Sequence, residues 1–142
     1  MTLVVVDANV IIAAYINSDD RHLQAAEIVT AIGAPLYVPV LALAEASYFI
    51  DRELGAEAEL GLLEAVVDRE IVPVYFEDQW ERVLELAQTY KSRRLGASDA
   101  AVVAAAERLL TSRIASLDQR DLQGIQLADG NYVDLISLSS QL

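Results

Sequence analysis

The 142-residue chain has no cysteine and a single histidine, His22. Without cysteine there are no disulfides, thiolate zinc sites, iron–sulfur clusters or cysteine nucleophiles. With one histidine there is no multi-histidine metal site and little material for a histidine-based triad. Proline (3) and glycine (6) are scarce, hydrophobic residues make up 54%, and the mean hydropathy is +0.32, a composition opposed to intrinsic disorder. No apolar run approaches the roughly 20 residues of a membrane span. The first residues lack a basic stretch and reach Asp7 at once, so no signal peptide is expected and a cytoplasmic location is the expectation. Cations are the other scarcity: 10 Lys+Arg stand against 22 Asp+Glu, for a formal charge of −12. That excess opposes indiscriminate binding to nucleic acid or anionic membranes. It leaves open one chemistry that uses acids, carboxylates around a hard divalent cation. The length suits a single domain over residues 1–142.

Short apolar runs alternate with helical patterns. Leu3–Val6, Leu36–Val38, Ile71–Tyr75 and Arg113–Leu117 read as strands, continuous rather than alternating and so buried on both faces, with a weaker fifth near Val133–Ile136. Between them the spacing predicts helices over Val10–Ile16, Asp19–Ile32 (capped by Asn17 or Ser18), Pro39–Leu54, Ala56–Arg69, Asp78–Arg94 and, capped by Ser98, Asp99–Leu110. The alternation predicts an α/β domain with a mostly parallel sheet and helices on both faces. Ligands of such folds bind beyond the carboxyl ends of the strands. The Trp80 helix reads as amphipathic, with Trp80, Val83, Leu84, Ala87 and Tyr90 on its packed face, and His22 as a surface helix residue.

Most acids fall on helical stripes that read as solvated faces. Four do not. Glu45 has Leu41, Ala42, Tyr48 and Phe49 as its same-face neighbours, and Asp99 has Val102, Val103, Ala106 and Leu110. Asp7 and Asp118 each directly follow an apolar strand. Taken singly, Asp7 and Asp118 could cap helices, Asp99 could be an N-terminal helix acid and Glu45 an edge residue. Gathered at one edge of a sheet they would repel and raise one another's pKa, a conflict that Mg²⁺ or Mn²⁺ removes.

The segments VVVDANVII, LALAEASYF, GASDAAVVAAAERL and IASLDQRDL, with their acids spaced 38, 54 and 19 residues apart, resemble those of PIN-domain ribonucleases, the VapC-like toxins in particular. The resemblance spans nearly the whole chain and implies a three-layer PIN-like fold with strand order 3-2-1-4-5. It implies Mg²⁺- or Mn²⁺-dependent RNA cleavage, with Asp7, Glu45 and Asp99 as metal-binding acids and Asp118 as the fourth acid. Asp121 could share or replace the role of Asp118. Ser116 takes the place of a hydroxyl residue often found two positions before the fourth acid, and Asn9 fits a position that is usually small or polar; both are expected to hold ligating carboxylates or water. Leu122 replaces the usual aromatic. The resemblance further implies a cognate antitoxin and a homodimer, for which the helix faces carrying Tyr48, Phe49 and Leu54 are candidates.

Hydrolysis of a phosphodiester needs an activated water and stabilised phosphoryl charge, which metal ions supply without a histidine or cysteine. Residues 82–120 hold seven of the ten basic residues and carry a net +3, against −15 for the rest. Lys91, Arg93 and Arg94, just before Asp99, are therefore candidate RNA phosphate contacts. Trp80 and Tyr90 read as packing residues rather than base-stacking platforms. There are four rivals, one of them a receiver domain, which would need an acidic pair after its first strand and a later Lys, neither of which is evident. A haloacid-dehalogenase-like phosphatase would need D-x-D-G-[TV] where this chain has Asp7-Ala8-Asn9-Val10. The others are a PIN nuclease that is not a toxin and a catalytically silent PIN-fold binding module.

Overall fold

The computed structural model describes residues 3–136. Five strands form one parallel sheet: β1 (Val5–Val6), β2 (Leu36–Pro39), β3 (Ile71–Val74), β4 (Arg113–Ala115) and β5 (Asp134–Ile136). Their spatial order is β3-β2-β1-β4-β5, with β1 at the centre. Val5 lies opposite Tyr37 on one side and Ile114 on the other. The helices are α1 (Ala8–Tyr15), α2 (His22–Ile32), α3 (Val40–Leu54), α4 (Ala56–Val67), α5 (Trp80–Thr89), α6 (Ala97–Arg108) and the single turn α7 (Gln119–Leu122).

Both faces of the sheet are covered, as the continuous apolar strands require. Val4 and Val6 pack into one core with residues of α1 to α4, whereas Val5 points to the other, with α5 and α6. This alternation follows from the two-residue period of a strand. Helix α6 is the most deeply set: Ala100 to Ala106 are all buried. A helix apolar on every side belongs inside, and its alanines combine high helix propensity with little bulk. Asp99 is thereby anchored on a rigid element.

Several local expectations are corrected. Helix α2 begins at His22 rather than Asp19, after an Arg21 cap position without a side-chain cap bond. Residues 16–21 instead close turns, with Asp19 donating to the Ile16 carbonyl and His22 to that of Asp19. Helix α6 begins at Ala97 after Gly96, so Ser98 lies inside the first turn and is not its cap. Helix α5 stops at Thr89; Lys91–Arg93 form a 3₁₀ turn and Arg94 turns the chain in the left-handed region. That turn brings Leu95 into the core, which hydrophobic spacing could not anticipate. On α5, Val83 and Leu86 are the buried residues, while Trp80 and Leu84 are exposed. Trp80 meets Phe76 edge to face at 4.7 Å. Glu45 is exposed rather than sunk in an apolar face. His22 is half-buried, its Nδ1 2.8 Å from the Ala13 carbonyl oxygen.

Candidate active site

The centre of the carboxyl edge is set by the β1–β4 pair. Asp7 leaves β1 with its N–H on the Ala115 carbonyl at 2.9 Å and caps α1, its Oδ1 accepting the Ala8 N–H at 2.7 Å. Its other oxygen accepts the Ser116 hydroxyl at 3.0 Å. Ser116, fully buried just past β4, also accepts from Asn9 Nδ2 (3.1 Å) and from the Asp118 N–H (3.2 Å). Asn9 Oδ1 accepts the Leu117 N–H at 3.0 Å. One hydroxyl and one amide therefore lock the strand that carries Asp7 to the loop that carries Asp118.

Glu45 arrives from the second turn of α3 and Asp99 from the first turn of α6. The Ser98 hydroxyl bridges these helices by donating to Glu45 Oε1 at 3.1 Å. Asp118 precedes α7 and Asp121 lies on it. Asp7, Asn9, Glu45, Ser98, Asp99, Asp118 and Asp121, with Arg21, line one open cleft of about 330 Å³. Both candidates for the fourth acid face it. A second cavity, of about 190 Å³, is apolar and lies by Leu36 and Ile71, at the opposite edge of the sheet.

The acids perturb one another. Burial pushes the Asp7 carboxyl up to about 6, aided by Glu45 and Asp118 and opposed by the bonds from Ala8 and Ser116. Burial, then the charges of Asp7, Asp121, Glu45 and Asp118, push Asp99 up to about 7. Asp121 is also raised, by burial and by its hydrogen bond and repulsion with Asp118, against the pull of Arg120 and Arg93. Such shifts set these acids apart from those of a solvated face and make the cleft the candidate functional site.

Arg21 and Ser98 are cleft residues that sequence reasoning missed as such. Arg21 is remote from every motif and carries no spacing signal; Ser98 adjoins Asp99 but reads as a cap. The basic cluster is placed differently from the cleft. Lys91 and Arg94 are exposed and do not line it. Arg93 Nη2 donates to the carbonyls of Arg120 (2.7 Å), Asp121 (3.2 Å) and Gln123 (2.6 Å), and its guanidinium lies 5.7 Å from the Tyr90 ring centroid.

Comparison with known proteins agrees with this architecture. The family model described as PIN domain matches residues 4–125, and the chain belongs to the PIN domain family. It is VapC-like: it is 25% identical over 138 residues to Ribonuclease VapC26 of Mycobacterium tuberculosis (strain ATCC 25618 / H37Rv), covering 93% of this chain and 98% of that protein. The fold is similar to that of M. tuberculosis VapC20, described as a sarcin-ricin loop cleaving toxin, with a TM-score of 0.75 at 16% identity over 83% of this chain and 92% of that one. It is also similar to FitAcB of Neisseria gonorrhoeae, with a TM-score of 0.54 at 17% identity over 84% and 90% of the two chains.

Proposed function

We propose that this chain is a ribonuclease dependent on Mg²⁺ or Mn²⁺, acting as the toxin of a VapBC-type pair. One observation carries the reading: Asp7, Glu45, Asp99 and the pair Asp118 and Asp121 come from four separate segments of the chain to one cleft beyond the carboxyl ends of the strands. The names of the relatives, a ribonuclease and a sarcin-ricin loop cleaving toxin, support RNA as the substrate. The donor chemistry fits a hard cation, since the cleft offers carboxylate, amide and hydroxyl oxygens and neither sulfur nor imidazole. Among the described residues no three acids form a ready-made metal cage. Asp7 is the buried member of the set and Asp99 is half-buried, while Glu45, held by the Ser98 hydroxyl, and Asp118 are exposed at the cleft.

When bound, the cation supplies a water of lowered pKa and positive charge at the phosphoryl oxygens. The chain's own groups do the positioning. Asp7, Glu45 and Asp99 are the residues that would hold the cation. Ser116 and Asn9 fix the direction of the Asp7 carboxylate. Asp118 or Asp121 orients the attacking water through a carboxylate oxygen. The water oxygen bonds to phosphorus as the bond to the 3′ oxygen breaks, and that oxygen takes up a proton. The ends are a 5′-phosphate and a 3′-hydroxyl.

A cognate antitoxin and a homodimer complete the reading. The α3–α4 hairpin exposes Tyr48, Leu54, Leu60 and Leu63, apolar surface suited to such contacts. Light scattering of the isolated chain tests the dimer, and a single-protomer mass overturns it. The activity is tested by incubating RNA with wild type and Asp7→Ala, each with Mn²⁺ or with EDTA. Cleavage by the wild type with Mn²⁺ alone supports the reading; equal cleavage in all four samples overturns it.

A further inference from the structure

We infer that Arg21, in the turn before α2, is the residue of the cleft that grips an RNA phosphate beside the carboxylates. The inference deepens the ribonuclease reading and rests on it. It starts from charge. A cleft lined by five carboxylates repels a polyanion, so a substrate strand needs a cation at the rim as well as any metal. Arg21 is the one basic residue among those lining the cleft. Only Arg21, Arg52 and Arg69 lie outside the basic window of residues 82–120, and Arg52 and Arg69 do not line it.

The guanidinium is also available. Asp19 accepts the Arg21 backbone N–H at 2.8 Å, which fixes the turn, but its Oδ1 stands 3.8 Å from Arg21 Nε. That separation is an ion-pair contact too long for a hydrogen bond. Among the described residues neither terminal nitrogen of Arg21 has a hydrogen-bond partner, and the side chain is 46% exposed. Arg93 presents the opposite picture, its Nη2 taken up by three backbone carbonyls. A planar fork with free donors next to the proposed reaction centre suits a phosphate oxygen pair. The neighbouring Asp19 keeps the fork's root in place while leaving its donors to the substrate.

The test uses the full chain, a single-stranded RNA oligonucleotide and four proteins: wild type, Arg21→Ala, Arg21→Lys and Arg52→Ala. RNA affinity is measured by fluorescence anisotropy across a salt series with Ca²⁺, and kcat and KM are then measured with Mn²⁺. Arg21→Ala is expected to weaken binding about ten-fold and to reduce the salt slope by about 0.7, the value of one phosphate contact on a single strand. KM should rise more than kcat falls. Arg21→Lys should keep the salt slope but recover only part of the affinity, because it lacks the fork. Arg52→Ala removes the same charge elsewhere and should leave the slope unchanged.

An unchanged slope in Arg21→Ala overturns the assignment, as does an equal loss in Arg52→Ala, which would mean that total charge alone matters. If the wild type cleaves and Arg21→Ala keeps its slope, Arg21 fails while the nuclease reading stands. If the wild type binds RNA through Arg21 without cleaving, the contact stands and the nuclease reading fails.

Discussion

Ser116 donates its hydroxyl proton to Asp7 Oδ2 at 3.0 Å across the junction of β1 and β4, residues 109 apart in the chain. The Ser116 hydroxyl oxygen in turn accepts from Asn9 Nδ2 and from the Asp118 N–H. Ser116→Ala should therefore loosen Asp7 and Asp118 together. Removing a hydrogen-bond support behind a metal ligand typically costs 10–100-fold in metal affinity or activity. The carboxyl of Asp7 should also titrate higher than about 6, since the Ser116 bond is one of the groups lowering it. Ser116→Thr, which keeps the hydroxyl, should retain most Mn²⁺ affinity in a calorimetric titration. Unaltered affinity in Ser116→Ala would remove the hydroxyl from this role.

The raised acids set a pH dependence of stability in the metal-free protein. Asp7 and Asp99 titrate near 6 and 7 in the fold, against 3.8 ordinarily. Between these limits the native state binds more protons than the unfolded chain, so stability falls as pH rises. The contribution is fully present below about pH 4 and is lost as pH passes through about 6 to 7. Thermal melts in EDTA should show a higher Tm at about pH 5 than at about pH 8. Mg²⁺ or Mn²⁺ should recover most of the loss at the higher pH, because a ligand of the native state stabilises it. A metal-free Tm that climbs over this interval would contradict the placement of the two acids.

Arg93 should behave as a scaffold residue rather than as an RNA contact. It holds the last carbonyls of α7, a four-residue turn too short to persist by itself, on which Asp121 sits. Arg93→Ala should lower stability by about 1.5–3 kcal/mol, the range for hydrogen bonds to a charged group. Hydrogen exchange should speed up in α7 and in the Gln126 amide, which donates to the Tyr90 hydroxyl beneath Arg93. The salt slope of RNA binding should stay where it was. A flattened slope with unchanged stability would return Arg93 to the RNA path.

A second clamp offers a check on packing without touching the cleft. Arg82 on α5 makes a forked pair with Glu107 on α6, whose Oε2 also accepts the Ala128 N–H at 2.8 Å. Glu107→Ala leaves a half-buried Arg82 with Glu85 and the Gln126 carbonyl as partners and frees the 126–132 turn. Its cost should be about 1–3 kcal/mol in chemical denaturation, with kcat for RNA close to wild type. A large loss of kcat at normal stability would contradict the separation of this clamp from the site.

Legibility in the sequence followed the range of the interactions involved. The strands were legible because a parallel sheet covered on both faces demands continuous apolar runs, as in Val4, Val5 and Val6. Asp7 was legible because a charge directly after such a run stands at the strand's carboxyl end. Glu45 has apolar same-face neighbours in the sequence yet is exposed; what places it in the cleft is the crossing of α3 with α6, sealed by Ser98. Helical spacing cannot tell an α-helix from the 3₁₀ turn at Lys91–Arg93, and charge counting cannot tell a solvated arginine from one bound to carbonyls. Arg21 reaches the cleft through a turn closed by backbone bonds, which no side-chain pattern records.

On the proposed reading, the acids of this cleft cut RNA. The most direct test of that reading is to express wild type and Asp7→Ala in cells and to map newly formed RNA 5′ ends. Growth arrest and discrete new 5′-phosphate ends are expected with the wild type, and neither with Asp7→Ala at equal protein level. The same set of new ends in both, or none with the wild type, would contradict that reading.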